Sequence, residues 1–212
     1  MSQIFNFKKN YFYYFLLIYC VGGIFLSLNV GITHDEYHNF FVGESNKKLF
    51  LNTLFGANYK LEMLTGLNLY YGSGFHFFSI PIDYIVNLFF NLDYVSSESK
   101  TILIKHPSVF IFFVLSSIYF RKIIFLVTKD KHYSSLCTIL YLSYPYLLGH
   151  SFFNIKDIPF LSVWLVCTFY ITNIARNFYK EKKITNKHLI ILSILSGYLL
   201  SIRISGILIF IE

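Results

Sequence analysis

The sequence predicts an all-α, polytopic membrane protein. Three features carry that expectation. Apolar runs close to bilayer length recur along the chain, only 14% of its residues are charged, and the basic residues cluster at the ends of those runs. A soluble domain carries about 25% charge, and about 20 consecutive apolar residues suffice to cross a bilayer.

The first run, 11–30, follows Lys8 and Lys9 as the core of a signal peptide would. It is longer than such a core, lacks a small-x-small cleavage site and is followed by further spans, so it reads as a retained first helix. Further spans are expected at 107–127, 134–149, 159–174 and 189–211, leaving 31–106 as a long loop. Within that loop "FHFFSIPIDYIVNLFF" (75–90) is apolar, short and interrupted by Pro81 and Asp83. Two readings are open: a true span, or a helix lying in the interface.

The positive-inside rule favours the interfacial reading. With 75–90 in the interface, the cytoplasmic segments together with Arg121 and Lys122 hold eleven of the eighteen Lys and Arg residues. The loop 31–106 then faces outward with five Lys against seven Asp and Glu. If 75–90 spanned instead, the basic stretch "ARNFYKEKKITNKH" would have to be exported. The expected topology therefore has a cytoplasmic N-terminus in a multi-pass integral protein of a bacterial inner membrane or the ER membrane. The chain stops in the apolar "GILIFIE", which predicts the N-terminal part of a longer protein.

The net charge of +7 is spent at span ends and not along one groove, so nucleic-acid binding is not expected. Cys20, Cys137 and Cys167 lie far apart inside apolar runs and read as small hydrophobes. The many Phe and Tyr residues read as lipid-facing bulk and interfacial belt.

This topology gathers polar residues on one side. "GITHDEYHNF" (31–40) leaves the first span with Asp35 and Glu36 flanked by His34 and His38, and "GHSFFNIKDIPF" (149–160) carries His150, Lys156 and Asp157 on the same face. Arg203 is expected deep in the last run, where a charge is costly and calls for a partner or a water-filled cavity. Carboxylates and cations at a membrane boundary suit a lipid-linked phosphosugar. Lys156 or Arg203 would hold the leaving phosphate, and a carboxylate would take the proton from the acceptor. A divalent cation on carboxylates and imidazoles would serve as well, although two histidines without a third ligand are weak grounds for a metal, so that assignment stays unknown. Plainer readings stand beside these: a solvated helix end for Asp35 and Glu36, a helix cap for Asp157 before Pro159, and snorkelling for Arg203.

In order and spacing, "THDEYHNF", "YYGSGFHFF", "NIKDIPFLSVWLV" and "GYLLSIRISGILIF" resemble motifs of the GT-C membrane glycosyltransferases. The closer likeness is to the branch of protein O-mannosyltransferases and lipid A aminoarabinose transferases, over nearly the whole chain. The resemblance implies a GT-C-like transmembrane helix bundle with interfacial helices in the first outer loop. It implies Asp35 as general base with Glu36 supporting it, and Lys156, Asp157 and Arg203 as substrate-binding residues. Lys156 departs from a position that is usually small or apolar. The implied partners are a polyprenyl- or dolichyl-phosphate-linked sugar donor, a protein, lipid or glycan acceptor, and membrane lipids. The competing expectations are a polytopic transporter and a non-enzymatic membrane assembly component.

Overall fold

The computed structural model describes residues 4–60, 72–90, 96–181 and 186–212. Tyr70 and Tyr71 of the second motif, Glu62 and Asp93 of the long loop, and Lys182 and Lys183 of the basic stretch lie outside them. The described residues are helical and contain no strand. The elements are α1 (Ile4–Ser27), α2 (His34–Phe55), α3 (Gly74–Phe90), α4 (Ser97–Lys100), α5 (His106–Thr128), α6 (Lys131–Ser143), α7 (Pro145–Ser151), α8 (Asp157–Glu181) and α9 (Asn186–Ile202). A 3₁₀ turn, Ile204–Phe210, follows α9. Two helices, Thr101–Thr128 and Asp157–Lys180, are long and apolar enough to cross a membrane; Tyr11–Ser27, Gly74–Phe90 and Asn186–Ile202 are shorter apolar helices.

Helix α5 is the axis of the bundle, packed against α1, α6 and α8. Val109, Phe110 and Phe113 are fully buried along it and join Phe12 and Leu16 of α1, Leu142 of α6 and Ile158 of α8 in one core. Gly23 lets α1 approach closely, because a Cβ there would collide with the Phe110 ring. A second cluster, Val163, Cys167, Leu199, Ile202 and Ile209, joins α8, α9 and the 3₁₀ turn. Outward faces remain apolar, as at Ile18 on α1, Leu140 on α6 and Ile194 on α9.

The hydrogen bonds fix the two ends of the bundle. At one end His106 Nδ1 meets the Ser27 carbonyl at 3.3 Å, joining the end of α1 to the start of α5. At the other, Arg121 of α5 donates to Ser135 Oγ of α6 at 3.0 Å and to the Tyr13 hydroxyl of α1 at 3.3 Å. Helix α3 begins against Ser201 and Ile202, and its far half lines a cleft with Lys100 and Lys105. Both halves of α3 are thus held at the first end.

Between α4 and α5 the helix widens into a π-turn, Thr101–Lys105, with the His106 N–H bonded to the Thr101 carbonyl. Pro107 explains the widening. It has no N–H to offer the carbonyl four residues back, and its ring would collide with that carbonyl in a regular α-turn.

Two expected spans are interrupted. The segment 134–149 breaks at Tyr144, which leaves helical geometry (φ −64°, ψ 116°) before Pro145, as a residue preceding proline is driven to do. Its longer piece, α6, has 13 residues and covers only about 20 Å. The segment 189–211 breaks at Arg203, whose backbone is extended (φ −149°, ψ 137°). Beyond it the 3₁₀ turn folds back along α8, bringing the Glu212 carboxylate to the Thr168 hydroxyl at 3.0 Å. Arg203 therefore stands at a reversal at the end of the bundle, not deep within a continuous helix.

Candidate functional site

At the end where α1 stops and α5 begins, a cleft of about 310 Å³ opens between the start of α2, the loop before α8 and the break after α9. Its lining includes Asp35, Glu36, His150, Lys156, Asp157 and Arg203. The structure thus brings Asp35, Glu36, Lys156, Asp157 and Arg203 together from three distant stretches of sequence. His34 and His38 do not line it.

Each side chain arrives by a local device. Thr33 is the extended residue before α2, and its N–H donates to Glu36 Oε2 at 3.0 Å, as a carboxylate at the third helical position does in a capping box. Glu36 is 2% exposed, and His106 Nε2 reaches both its oxygens at 3.2 and 3.3 Å. Both His106 nitrogens are thus engaged, one by a carboxylate and the other by the Ser27 carbonyl. Glu36 is an anchor between α1, α2 and α5. Asp35, one position earlier, is exposed and forms no hydrogen bond or ion pair among the described residues. The two adjacent carboxylates therefore differ: one is committed to the fold and the other faces the cleft.

Across the cleft, Asn154 organises the start of α8. Its Oδ1 accepts the N–H groups of Lys156 at 3.1 Å and Asp157 at 2.8 Å. Its amide nitrogen donates to Asp157 Oδ2 at 3.2 Å and lies 3.0 Å from His150 Nδ1. The cap of α8 is therefore Asn154 and not Asp157, which is released to pair through Oδ1 with the Arg203 guanidinium. Burial and the adjacent Arg203 charge push the Lys156 ammonium below its ordinary range, against the pull of Asp157 and Asp35. Chemically the cleft offers one exposed carboxylate, a second carboxylate paired with arginine, a lysine of lowered basicity and an imidazole. Among the described residues, no three His, Cys, Asp or Glu side chains gather as a metal site.

No family model, curated protein or solved structure matches the chain.

A second polar cleft, of about 400 Å³, lies between α2, α3 and the π-turn, lined by Phe40, Glu44, Lys47, Asp83, Lys100 and Lys105 among others. Lys105 is 3% exposed, sits 2.9 Å from His76 Nδ1 and lies over the Phe40 ring. On the other side of the His76 ring, Nε2 lies 3.2 Å from Glu44 Oε1, off the line of an ideal hydrogen bond. The His76 contact, opposed by burial and aided by Lys47, holds the Glu44 carboxyl down to about 2.

The sequence reading missed His106, Asn154 and this second cluster. Available signals were "KHP" at the entrance of an apolar run, two titratable residues before a helix-starting proline, and Asn154 three residues before Asp157, the spacing of a cap. No signal of spacing links His76 to Glu44 or Lys105, which meet only through the tertiary fold.

Proposed function

We propose that the chain is part of a multi-pass integral membrane glycosyltransferase of the GT-C type. In this reading it moves a sugar from a polyprenyl- or dolichyl-phosphate donor to a protein, lipid or glycan acceptor at the non-cytoplasmic face, with a cytoplasmic N-terminus in a bacterial inner membrane or the ER membrane. The observation that supports this reading is the convergence of Asp35, Lys156, Asp157 and Arg203 on one cleft at the end of the apolar bundle.

Asp35 accepts the proton of the acceptor hydroxyl or amine as that atom attacks the anomeric carbon. The bond from that carbon to the phosphate oxygen breaks, and the electron pair leaves with the lipid phosphate, so the configuration inverts. Lys156 and Arg203 offset the charge that grows on the phosphate. Arg203 gives one N–H to Asp157 and keeps others for the phosphate. Glu36 touches neither reactant and holds Asp35 in position through His106 and Thr33.

The test is transfer of a labelled sugar from a polyprenyl-phosphate donor by the full-length protein and its Asp35→Asn variant. Loss of transfer with normal membrane insertion supports the assignment; undiminished transfer by the variant overturns it.

A second reading, a transporter, draws on the helix break at Arg203, because broken helices build many transport sites. Arg203 lies at the end of the bundle, paired to Asp157, whereas such breaks sit at mid-depth. Substrate uptake by proteoliposomes without any sugar transfer would decide for the transporter.

A further inference from the structure

We propose that the cleft between α1, α5 and α6, at the end of the bundle opposite the candidate active site, binds the phosphate of an anionic phospholipid. The inference rests on the membrane reading above.

The cleft, of about 130 Å³, is lined by Tyr13, Arg121, Lys122, Lys131 and Ser134 with two apolar side chains, and among the described residues no acidic one lines it. Arg121 is the central residue of the cleft. It lies seven residues before the last residue of α5, about 10 Å along the axis from the helix end. A cation inside the length of an apolar helix requires a partner of opposite charge or water. Among the described residues neither Arg121 nor Lys122 forms an ion pair. Asp130, the nearest acid in sequence, has its Oδ1 committed to the N–H groups of His132 and Tyr133 at the start of α6.

The guanidinium is held ready for an anion. Its Nε donates to Ser135 Oγ at 3.0 Å and one NH1 hydrogen to the Tyr13 hydroxyl at 3.3 Å, while its Cζ lies over the Phe12 ring, 4.4 Å from the centroid. Three of its five N–H groups remain, enough for the two-pronged grip that arginine makes on phosphate. Lys122 is steadied over the rings of Tyr119 and Phe169.

Charges that serve only to orient a span need to sit in water near its end. They do not need an arginine folded between helices, set over an aromatic ring and hydrogen-bonded. The cleft has room for a phosphate group, and the remainder of the ligand lies along the neighbouring helices. Farther along the same helices, Leu17 and Ile18 of α1 and Leu136 and Leu140 of α6 are exposed, a surface for acyl chains. A lipid phosphate supplies the missing negative charge at the depth where Arg121 needs it.

The full-length protein is first tested for retention in membranes under alkaline carbonate, then placed in phosphatidylcholine nanodiscs containing a minor fraction of phosphatidylglycerol. Lipid bound per protein is measured by mass spectrometry after delipidation. Phosphatidylglycerol is expected to be retained severalfold above its bulk fraction. The excess should fall away in Arg121→Gln and in Lys131→Gln and persist in Arg176→Gln, a cation outside the cleft. Lys131→Gln changes an exposed side chain, so the test stands even where Arg121→Gln fails to fold. Release by carbonate overturns the membrane reading and the lipid site with it. Retention without phosphatidylglycerol excess overturns the lipid site alone. Displacement of the lipid by inorganic phosphate at comparable concentration assigns the cleft to a free anion and overturns the lipid source.

Discussion

The carboxylate of Glu36 and the imidazole of His106 meet at 3.2 Å, with 2% and 0% of their side chains exposed. They stand 70 positions apart and tie the first turn of α2 to the entrance of α5. A buried hydrogen-bonded pair tolerates the loss of both partners better than the loss of one, because a single deletion leaves the other polar group buried and unsatisfied. Glu36→Gln and His106→Ala are each expected to destabilise the protein by about 1–3 kcal/mol. The double variant should lose less than the sum of the two. Thermal unfolding in detergent measures all three, and strict additivity would show that the pair is not coupled.

Asp35 is expected to behave oppositely. Its side chain is exposed and carries no hydrogen bond, so Asp35→Asn should change stability by under about 0.5 kcal/mol, as surface substitutions do. Transfer should fall about 10²–10⁴-fold, the contribution of a positioned general base. Comparing its unfolding midpoint with that of Glu36→Gln separates the two adjacent carboxylates by role.

The pair between Asp157 and Arg203 is half exposed, at 53% and 43%. Such pairs contribute about 0–1 kcal/mol, so Arg203→Gln should unfold close to the parent. Its effect should appear on Lys156. The Arg203 charge presses the lysine down while Asp157 and Asp35 raise it. Removing the guanidinium also frees Asp157, so both changes raise the lysine. Amine labelling of Lys156 followed by mass spectrometry is expected to shift to higher pH in Arg203→Gln and to lower pH in Asp35→Asn.

Glu44 gives a prediction in acid. Its carboxyl is held at about 2 against an ordinary 4.5, so the folded state favours the ionised form. That stabilisation is complete above about pH 4.5 and is lost as pH falls towards 2. Glu44→Gln should be less stable than the parent at pH 6, and the difference should shrink through that window. A difference that stays constant between pH 6 and pH 2 would mean that His76 and Lys47 do not hold the carboxylate.

Asn154→Ala removes the cap of α8 and is expected to cost about 1 kcal/mol. It should also weaken binding in the cleft, because Asn154 orients both Asp157 and the backbone of Lys156. Asn154→Ser restores a cap without the amide that reaches Asp157, so stability should recover ahead of binding.

Much of this arrangement is legible in the sequence. Apolar runs mark α1, α5, α8 and α9 because a helix that buries one face and keeps another apolar shows it in composition. Asp35, Lys156 and Asp157, expected on one face from the placement of the basic clusters, line one cleft. The interruptions at Tyr144 and Arg203 are harder. A proline after Tyr144 is a visible breaker, yet the run around it remains apolar enough to read through. Nothing in "SIRISG" announces a reversal; Arg203 meets Asp157 across 46 positions, and Gly206 packs against Leu199, only in the folded chain. Buried pairs such as Glu36 with His106 are set by helix packing across 70 positions, which local pattern does not encode.

The π-turn Thr101–Lys105 and the residue after it hold two clefts on one stretch of backbone. Lys105 and His106 are neighbours in sequence yet serve different clefts, one through His76 and the other through Glu36. Both side chains point into protein, at 3% and 0% exposure. The two clefts are therefore geared to a single short length of backbone. Deleting one residue from 101–105 would re-phase the helix and disengage both at once, whereas a side-chain substitution touches only one.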